Sequence, residues 1–318
     1  MNSDIEIRNL SVSFITQEGE STAVKDLSTT FYQGKISGVI GESGSGKSVM
    51  GMSILGLLPN TAQISGECWY KGENLYRLPL KELRKFRGAQ IGLIPQNPNA
   101  SLDPVMKMKK QITEAIFAHS ELKSRRERKL QAEQQANQLL IDFGFSNPDE
   151  ISKQYSFQMS GGMNQRLVSA LGLACCPEWI IADEPTKGLD AVLRNQVYRV
   201  LKDIFLKQHS SMIVITHDLQ LAQRLCDDLK VLYKGQIIEQ GDTQKMMENP
   251  LHPYTKGLLD SMPSRGMNPI PEEDPEKKGK NGCPFYSRCL QAKEKCRSEK
   301  PYDISVPDGR KVRCFLYE

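Results

Sequence analysis

One octet constrains this chain more than any other feature. Gly41-Glu42-Ser43-Gly44-Ser45-Gly46-Lys47-Ser48 lies between a short apolar run, Ile36-Ser-Gly-Val-Ile40, and a helix-forming stretch that opens at Lys47. A buried strand that ends in Gly-x4-Gly-Lys-Ser and passes into a helix is a phosphate-cradling arrangement. Glycines let the backbone turn so that successive N–H groups face phosphate oxygens, and the helix N-terminus adds a dipole that favours the anion. In this arrangement Gly41, Ser43, Gly44, Ser45, Gly46 and Val49 belong to the cradle and its first helical turn. Lys47 is placed to reach the β- and γ-phosphates, and the Ser48 hydroxyl to ligate Mg²⁺. The expected ligand is ATP or GTP.

The rest of the chain alternates in a way that fits such a loop. Residues 4–40 read as strands, with Ile5, Ile7 and Val12 recurring among polar residues and a second half-buried run from Ala23 to Phe31. The helix after the loop is expected to run to Leu58, stopped by Pro59-Asn60, and residues 89–95 make another short strand. From about 103 to 146 the sequence is charged, glutamine-rich and helix-forming, which marks an inserted helical subdomain at about 97–165. Strand and helix then alternate again: Trp179–Ala182, 191–207, Met212–Ile215 and 218–226. Lys230–Ile238 reads as a hairpin turning at Lys234-Gly235. This order predicts an α/β fold with a largely parallel sheet core, an antiparallel N-terminal β subdomain and a helical insert. The expected domains are 1–262, and 263–318 as a linker (to 282) followed by a small cysteine-containing extension.

Composition narrows the class. Lysine and arginine number 42 against 38 acidic residues, a balance too even for a nucleic-acid partner. The dense basic run Lys123–Lys129 reads as a solvated helix face. Met1–Arg8 carries acid and no apolar stretch, so no signal peptide is expected. The longest apolar-rich stretch, Val49–Leu58, is far short of the roughly 20 residues that span a bilayer.

Trp179-Ile-Ile-Ala-Asp183-Glu184 is an apolar strand ending in two acids. Downstream of a phosphate loop, Asp183 is placed to position Mg²⁺, and Glu184 to orient or deprotonate an attacking water. Met159-Ser160-Gly161-Gly162-Met163 lies just upstream and resembles the signature motif, LSGGQ, of the ABC ATPases, with Met at both ends. The other motifs of that family are present in sequence order. The resemblance implies ATP as the nucleotide and a Q-loop Gln96 that contacts Mg²⁺ and senses a transmembrane partner. It implies a D-loop at Gly188-Leu189-Asp190, a switch histidine at His217 for the γ-phosphate, and an adenine-stacking aromatic at Phe14, with Phe31 and Tyr32 as competitors. Ser160, Gly161 and Gly162 would serve the ATP bound by an opposite subunit. The implied activity is ATP hydrolysis.

Three segments narrow the resemblance to the ATP-binding subunits of oligopeptide, dipeptide and nickel importers. They are Asn97-Pro-Asn-Ala-Ser-Leu-Asp-Pro104, Pro250-Leu-His-Pro-Tyr-Thr255, and the tail carrying Cys283, Cys289, Cys296 and Cys314. The tail spacing, C-x5-C-x6-C-x17-C, fits neither ferredoxin spacing nor zinc-ribbon pairs. From the resemblance a 4Fe–4S cluster of structural role is favoured over zinc, with unliganded thiols a third option. Cys68, Cys175, Cys176 and Cys226 read as core residues. The same resemblance implies two membrane-spanning permeases, a second related ATPase subunit, an extracytoplasmic substrate-binding protein, and a peripheral location on the cytoplasmic face of the cell membrane. Peptides or nickel and metal chelates would be the cargo. Two rivals are a soluble ABC-type ATPase of DNA repair or translation, and a nucleotide-gated iron–sulfur sensor. The first usually carries long coiled coils or two cassettes, whereas this chain has one of each motif and no sustained heptads.

Overall fold

The apolar step along the first strand is not constant. Ile5 and Ile7, then Leu10 and Val12, are almost fully buried, with Arg8 and Asn9 both exposed between the pairs. The extra residue is a bulge: Asn9 is left-handed (φ 51°), and the register of β1 (Ile5–Thr16) slips there against β2 (Gly19–Phe31). Ser28 and Asp26 on β2 hold the Asn9 amide and side chain.

A computed structural model describes residues 3–17, 19–274, 277 and 281–318. Residues 275, 276 and 278–280 of the stretch read as a linker lie outside the described residues, as do Met1 and Asn2. The chain divides into two units, Met1–Tyr76 with Ile215–Glu318, and Arg77–Val214.

The first unit continues with β3 (Ile36–Ile40), buried along its whole length, then the glycine loop and α1 (Lys47–Ile54). This helix stops at Ile54 rather than Leu58, because Gly56 turns left-handed (φ 58°) and breaks the i→i−4 ladder. Then β4 (Ala62–Tyr70) and β5 (Glu73–Asn74) complete an antiparallel sheet in the order β2-β1-β4-β5.

The second unit opens with α2 (Leu80–Phe86) and β6 (Ile91–Ile94). Five helices follow without a strand: α3 (Pro98–Ser101), α4 (Met108–His119), α5 (Arg125–Asp142), α6 (Pro148–Lys153) and α7 (Gly161–Gly172). Ile112 and Ile116 of α4 and Ala132, Ala136 and Leu140 of α5 recur every four residues and are buried, as one helical stripe requires. The basic run lies at the start of α5, capped by Ser124, with Lys123, Arg125, Arg126 and Lys129 exposed. Next come β7 (Trp179–Asp183), α8 (Ala191–Gln208) and β8 (Ser211–Thr216), with strand order β8-β7-β6. Strands β6 and β7 are parallel, Ile91 opposite Trp179 and Ile94 opposite Ala182. Gly92 and Gly172 let α7 lie against β6 with almost no side chain between them.

Back in the first unit, α9 (Leu219–Leu225) leads to β9 (Asp228–Tyr233) and β10 (Gln236–Asp242). The hairpin turns at Lys234 and Gly235, both at positive φ (44° and 78°), the backbone of a tight primed turn. Then come α10 (Thr243–Glu248), α11 (Pro253–Asp260), α12 (Lys295–Ser298), β11 (Ile304–Ser305) and β12 (Lys311–Val312). The run β11-β12-β10-β9-β3 forms one sheet, parallel only at β9-β3. The C-terminal segment thus adds strands to the same sheet that carries the glycine loop.

At the joint between β10 and α11, the buried Glu239 carboxylate accepts the N–H groups of Leu251 (3.0 Å) and His252 (2.8 Å) and faces Arg310 at 3.6 Å. The His252 imidazole caps α11 by accepting the Tyr254 N–H at Nδ1 (3.0 Å), so it must be neutral. Burial pushes its pKa down to about 3 from the ordinary value near 6.5. Unfolding therefore takes up a proton throughout that window, and stability falls as pH drops from about 6.5, by at most ~1.4 kcal/mol per unit. Burial raises the pKa of Glu239, which gives a slope of the opposite sign. We expect His252→Asn, which keeps a capping acceptor, to remove the acid-side loss attributable to this residue. Urea midpoints of both proteins at pH 7 and pH 5 check it, and equal slopes would refute the assignment.

Candidate functional site

The glycine loop is shaped by backbone packed against backbone. A Cβ on Gly41 would collide with the Leu232 carbonyl of β9, and one on Gly46 would sit 2.5 Å from the Ala23 carbonyl of β2. Gly46, Gly44 and Gly41 all take positive φ (101°, 79° and 152°), which L side chains rarely adopt. The Gly235 N–H of the β9–β10 turn donates to the Ser45 carbonyl (2.9 Å), pinning the loop from the other side. Lys47 is buried, its ammonium donating to the carbonyls of Gly41 and Glu42 at 2.8 Å each. Ser48 and Val49 are half-buried in the first turn of α1, and Ser43 and Gly44 are exposed. The Ser45 hydroxyl is buried with no hydrogen-bond partner among the described residues.

The aromatic candidates in this unit separate by burial. Phe31 is fully buried under the Lys230 ammonium (4.8 Å to the ring), so it cannot stack on a ligand. Tyr32 is half exposed, and Phe14 is half-buried on β1 opposite Ser21 and Ala62. His217 is exposed one residue beyond β8. The next residue, Asp218, caps α9 through the N–H groups of Gln220 and Leu221.

In the second unit, the parallel register of β6 and β7 brings Gln96 and the Asp183-Glu184 pair to the same strand ends. Both acids are buried, and Glu184 holds a left-handed backbone (φ 50°), an uncommon conformation for a non-glycine residue. Ser160 caps α7, its hydroxyl accepting the Met163 N–H (3.3 Å). Ser160 and Gly161 are exposed, so this helix N-terminus faces outward. Asp190 caps α8 by accepting the N–H groups of Val192 and Leu193 at 2.9 Å each.

Cys283, Cys289, Cys296 and Cys314 line one small pocket with Phe285 and Phe315, and all are free thiols. The Cys283 N–H donates to the Cys296 carbonyl, and the Lys293 N–H to the Cys296 sulfur. Burial pushes the Cys283 thiol up to about 12 and raises Cys289 and Cys314 as well. Among the described residues no group of three or more His, Cys, Asp or Glu is arranged to hold a metal ion. Of the other cysteines, Cys68 and Cys226 are buried as expected. Cys176 is not a core residue: it is exposed at a left-handed turn (φ 50°) after α7, and Cys175 is half-buried.

Sequence reasoning passed over Glu42, an unspecified position of the loop pattern. Its N–H donates to the Tyr254 hydroxyl (2.9 Å), and its carboxylate takes both terminal nitrogens of Arg288 (2.9 and 3.0 Å). No local pattern pairs residues so far apart in the chain.

The chain matches the family described as ABC transporter over residues 24–187, and the oligopeptide/dipeptide transporter C-terminal region over residues 238–296. It is 36% identical to the oligopeptide transport ATP-binding protein AppD of Bacillus subtilis (strain 168), covering 100% of this chain and 98% of that protein. It is 37% identical to the dipeptide transport ATP-binding protein DppD of the same organism, covering 100% and 96%. Among solved structures it resembles the ATP-binding cassette MJ0796, as a post-hydrolysis dimer bound to ADP and Pi. The TM-score is 0.66 at 25% identity, over 75% of this chain and 98% of that one. With these motifs in this order, the chain belongs to the ABC transporter family, among the ATP-binding subunits of the oligopeptide/dipeptide type, and is an importer ATPase.

Proposed function

We propose that this chain drives the import of short peptides, binding ATP at the Gly41–Ser48 loop and hydrolysing it with Glu184. The carrying observation is the glycine loop itself, with three positive-φ glycines and the buried Lys47 at the head of α1. The peptide reading is supported by relatives named for oligopeptide and dipeptide transport along the full length of the chain. On this reading the loop N–H groups and Lys47 bind the phosphates, Phe14 stacks on adenine, and His217 contacts the γ-phosphate. Ser48, Gln96 and Asp183 are hard oxygen donors that suit Mg²⁺, which when bound neutralises phosphate charge. Glu184 orients and deprotonates water. Its left-handed backbone sets where the carboxylate leaves β7, next to the strand end that carries Gln96.

Ser160, Gly161, Gly162 and Asp190 are read as the face offered to a second, related ATPase subunit. The outward N-terminus of α7 supports this, since it can donate N–H groups to a phosphate held elsewhere. Two permeases and an extracytoplasmic peptide-binding protein complete the proposed assembly, with this chain peripheral at the cytoplasmic face. Among the described residues no helix is long and apolar enough to cross a membrane. We expect Glu184→Gln to retain ATP binding and lower turnover of the assembled complex by about 10²-fold or more. Undiminished hydrolysis would defeat the assignment.

For the tail we propose a 4Fe–4S cluster held by Cys283, Cys289, Cys296 and Cys314. Four thiols around one pocket are a soft donor set that fits such a group. Thiolates are also zinc ligands, so metal content decides between the two. The group would cross-link the turns that carry the four cysteines. Full-length protein purified without oxygen should contain about four iron and four sulfide per chain. It should lose both in Cys283→Ser, and stoichiometric zinc in a colourless protein would overturn the proposal.

A further inference from the structure

We propose that the cysteine-bearing extension sets the ATP affinity of the phosphate loop through Arg288, a positioning residue that holds and neutralises Glu42. The proposal rests on the reading of this loop as the ATP phosphate site.

Glu42 is fixed at three points. Its N–H donates to the Tyr254 hydroxyl (2.9 Å), its carbonyl accepts from Lys47 (2.8 Å), and its carboxylate forms a two-bond fork with Arg288. Arg288 is itself committed on its other edge, where Nε donates to the Pro271 carbonyl (2.7 Å). Its guanidinium lies over Tyr233 and Phe285, 5.8 Å from each ring. Those rings and Tyr254 pack together, with Tyr233 and Tyr254 4.6 Å apart and Phe285 5.3–5.6 Å from both. The arginine side chain is 13% exposed and the Glu42 side chain 37%, so the fork is buried on the arginine side and open to solvent on the carboxylate side.

Arg288 is carried by a turn whose first residue, Tyr286, lines the cysteine pocket. The single 3₁₀ turn Tyr286–Arg288 runs between Cys283 and Cys289, closed by hydrogen bonds from Tyr286 N–H to the Cys283 carbonyl and from Cys289 N–H to the Tyr286 carbonyl. The turn that shapes the pocket therefore also carries the guanidinium to the loop.

A carboxylate in a phosphate-binding loop has the wrong sign. Beside a polyanion it opposes binding unless a cation offsets it, and Arg288 is that cation. Holding Glu42 in advance also removes part of the ordering cost that a mobile loop pays on binding. The two effects separate by mutation. Loss of Arg288 leaves an uncompensated negative charge, which a second substitution at Glu42 removes. A role confined to packing the extension gives no such suppression.

The experiment titrates full-length protein with a fluorescent ATP analogue and measures KM and kcat for ATP in the assembled transporter, with unfolding midpoints alongside. Arg288→Ala should raise the ATP dissociation constant about tenfold, with the loss falling in KM rather than kcat. Adding Glu42→Gln to it should recover most of that loss, and Arg288→Lys, which keeps the charge without the fork, should lie between. Should Arg288→Ala not fold, Arg288→Lys and Arg288→Gln carry the comparison, with Gln the weaker binder. Affinity unchanged by loss of Arg288, or a loss that Glu42→Gln does not relieve, overturns the proposal. Lys47→Ala is the separate control: if it binds ATP as wild type does, the reading of the loop as the ATP site fails instead.

Discussion

At Gly41 and Gly46 the glycine loop has no room for a side chain, and much of the first unit is organised around that fact. Gly41 meets the Leu232 carbonyl, Gly46 meets Ala23, and Gly235 also meets Ala23, a Cβ there falling 2.6 Å from the same carbonyl oxygen. Three segments distant in sequence, β2, the loop and the β9–β10 turn, therefore meet chiefly backbone to backbone. Such contacts are stiff, because no rotamer change can absorb a displacement. The loop is consequently a part of the sheet that happens to be bent, rather than a flexible connection hung from it. The α1 helix that follows begins where its first N–H groups leave this rigid frame.

The C-terminal extension attaches to the same frame. Strand β12 pairs with β10, Arg310 reaches the buried Glu239, and Arg288 reaches Glu42. The His252 cap and the Tyr233–Tyr254–Phe285 ring cluster fill the space between β10 and the cysteine pocket. Energetically this is a small polar core at high stakes. Its charged groups are paired with one another, so breaking one partner leaves the other desolvated and unpaired.

What could be read in the sequence was what depends on near neighbours. The strand before the loop, the loop glycines and the tight turn at Lys234-Gly235 are local patterns, and each forms where the pattern places it. Helix α1 ends early because Gly56 leaves the helix, although apolar Leu57 and Leu58 continue the helical spacing in the sequence. The strand alternation could not by itself choose between Phe31 and Tyr32, since adjacent residues face opposite sides. Only the sheet they join decides which side is core, and it buries Phe31. Cys176 sits in an apolar neighbourhood of the sequence, yet a left-handed turn carries it outward. The Asn9 bulge is in the same class, because a skipped step in the apolar pattern is visible only once the register is known. The Glu42–Arg288 fork lies beyond any local rule, because it depends on the extension folding back onto the sheet.

These limits bear on the chemistry. A loop pattern specifies positions that contact phosphate through backbone, so the side chain at an unspecified position is free to serve something else. At Glu42 that side chain is an acid, the least suitable charge for a phosphate cradle. Its presence makes sense only with a cation brought to it from outside the loop. Arg288 supplies that cation from the turn that also walls the cysteine pocket. An uncharged residue at position 42 would bind phosphate with no such help, and the loop would then be independent of the tail. With the acid there, the affinity proposed for the loop is tied to the folded tail.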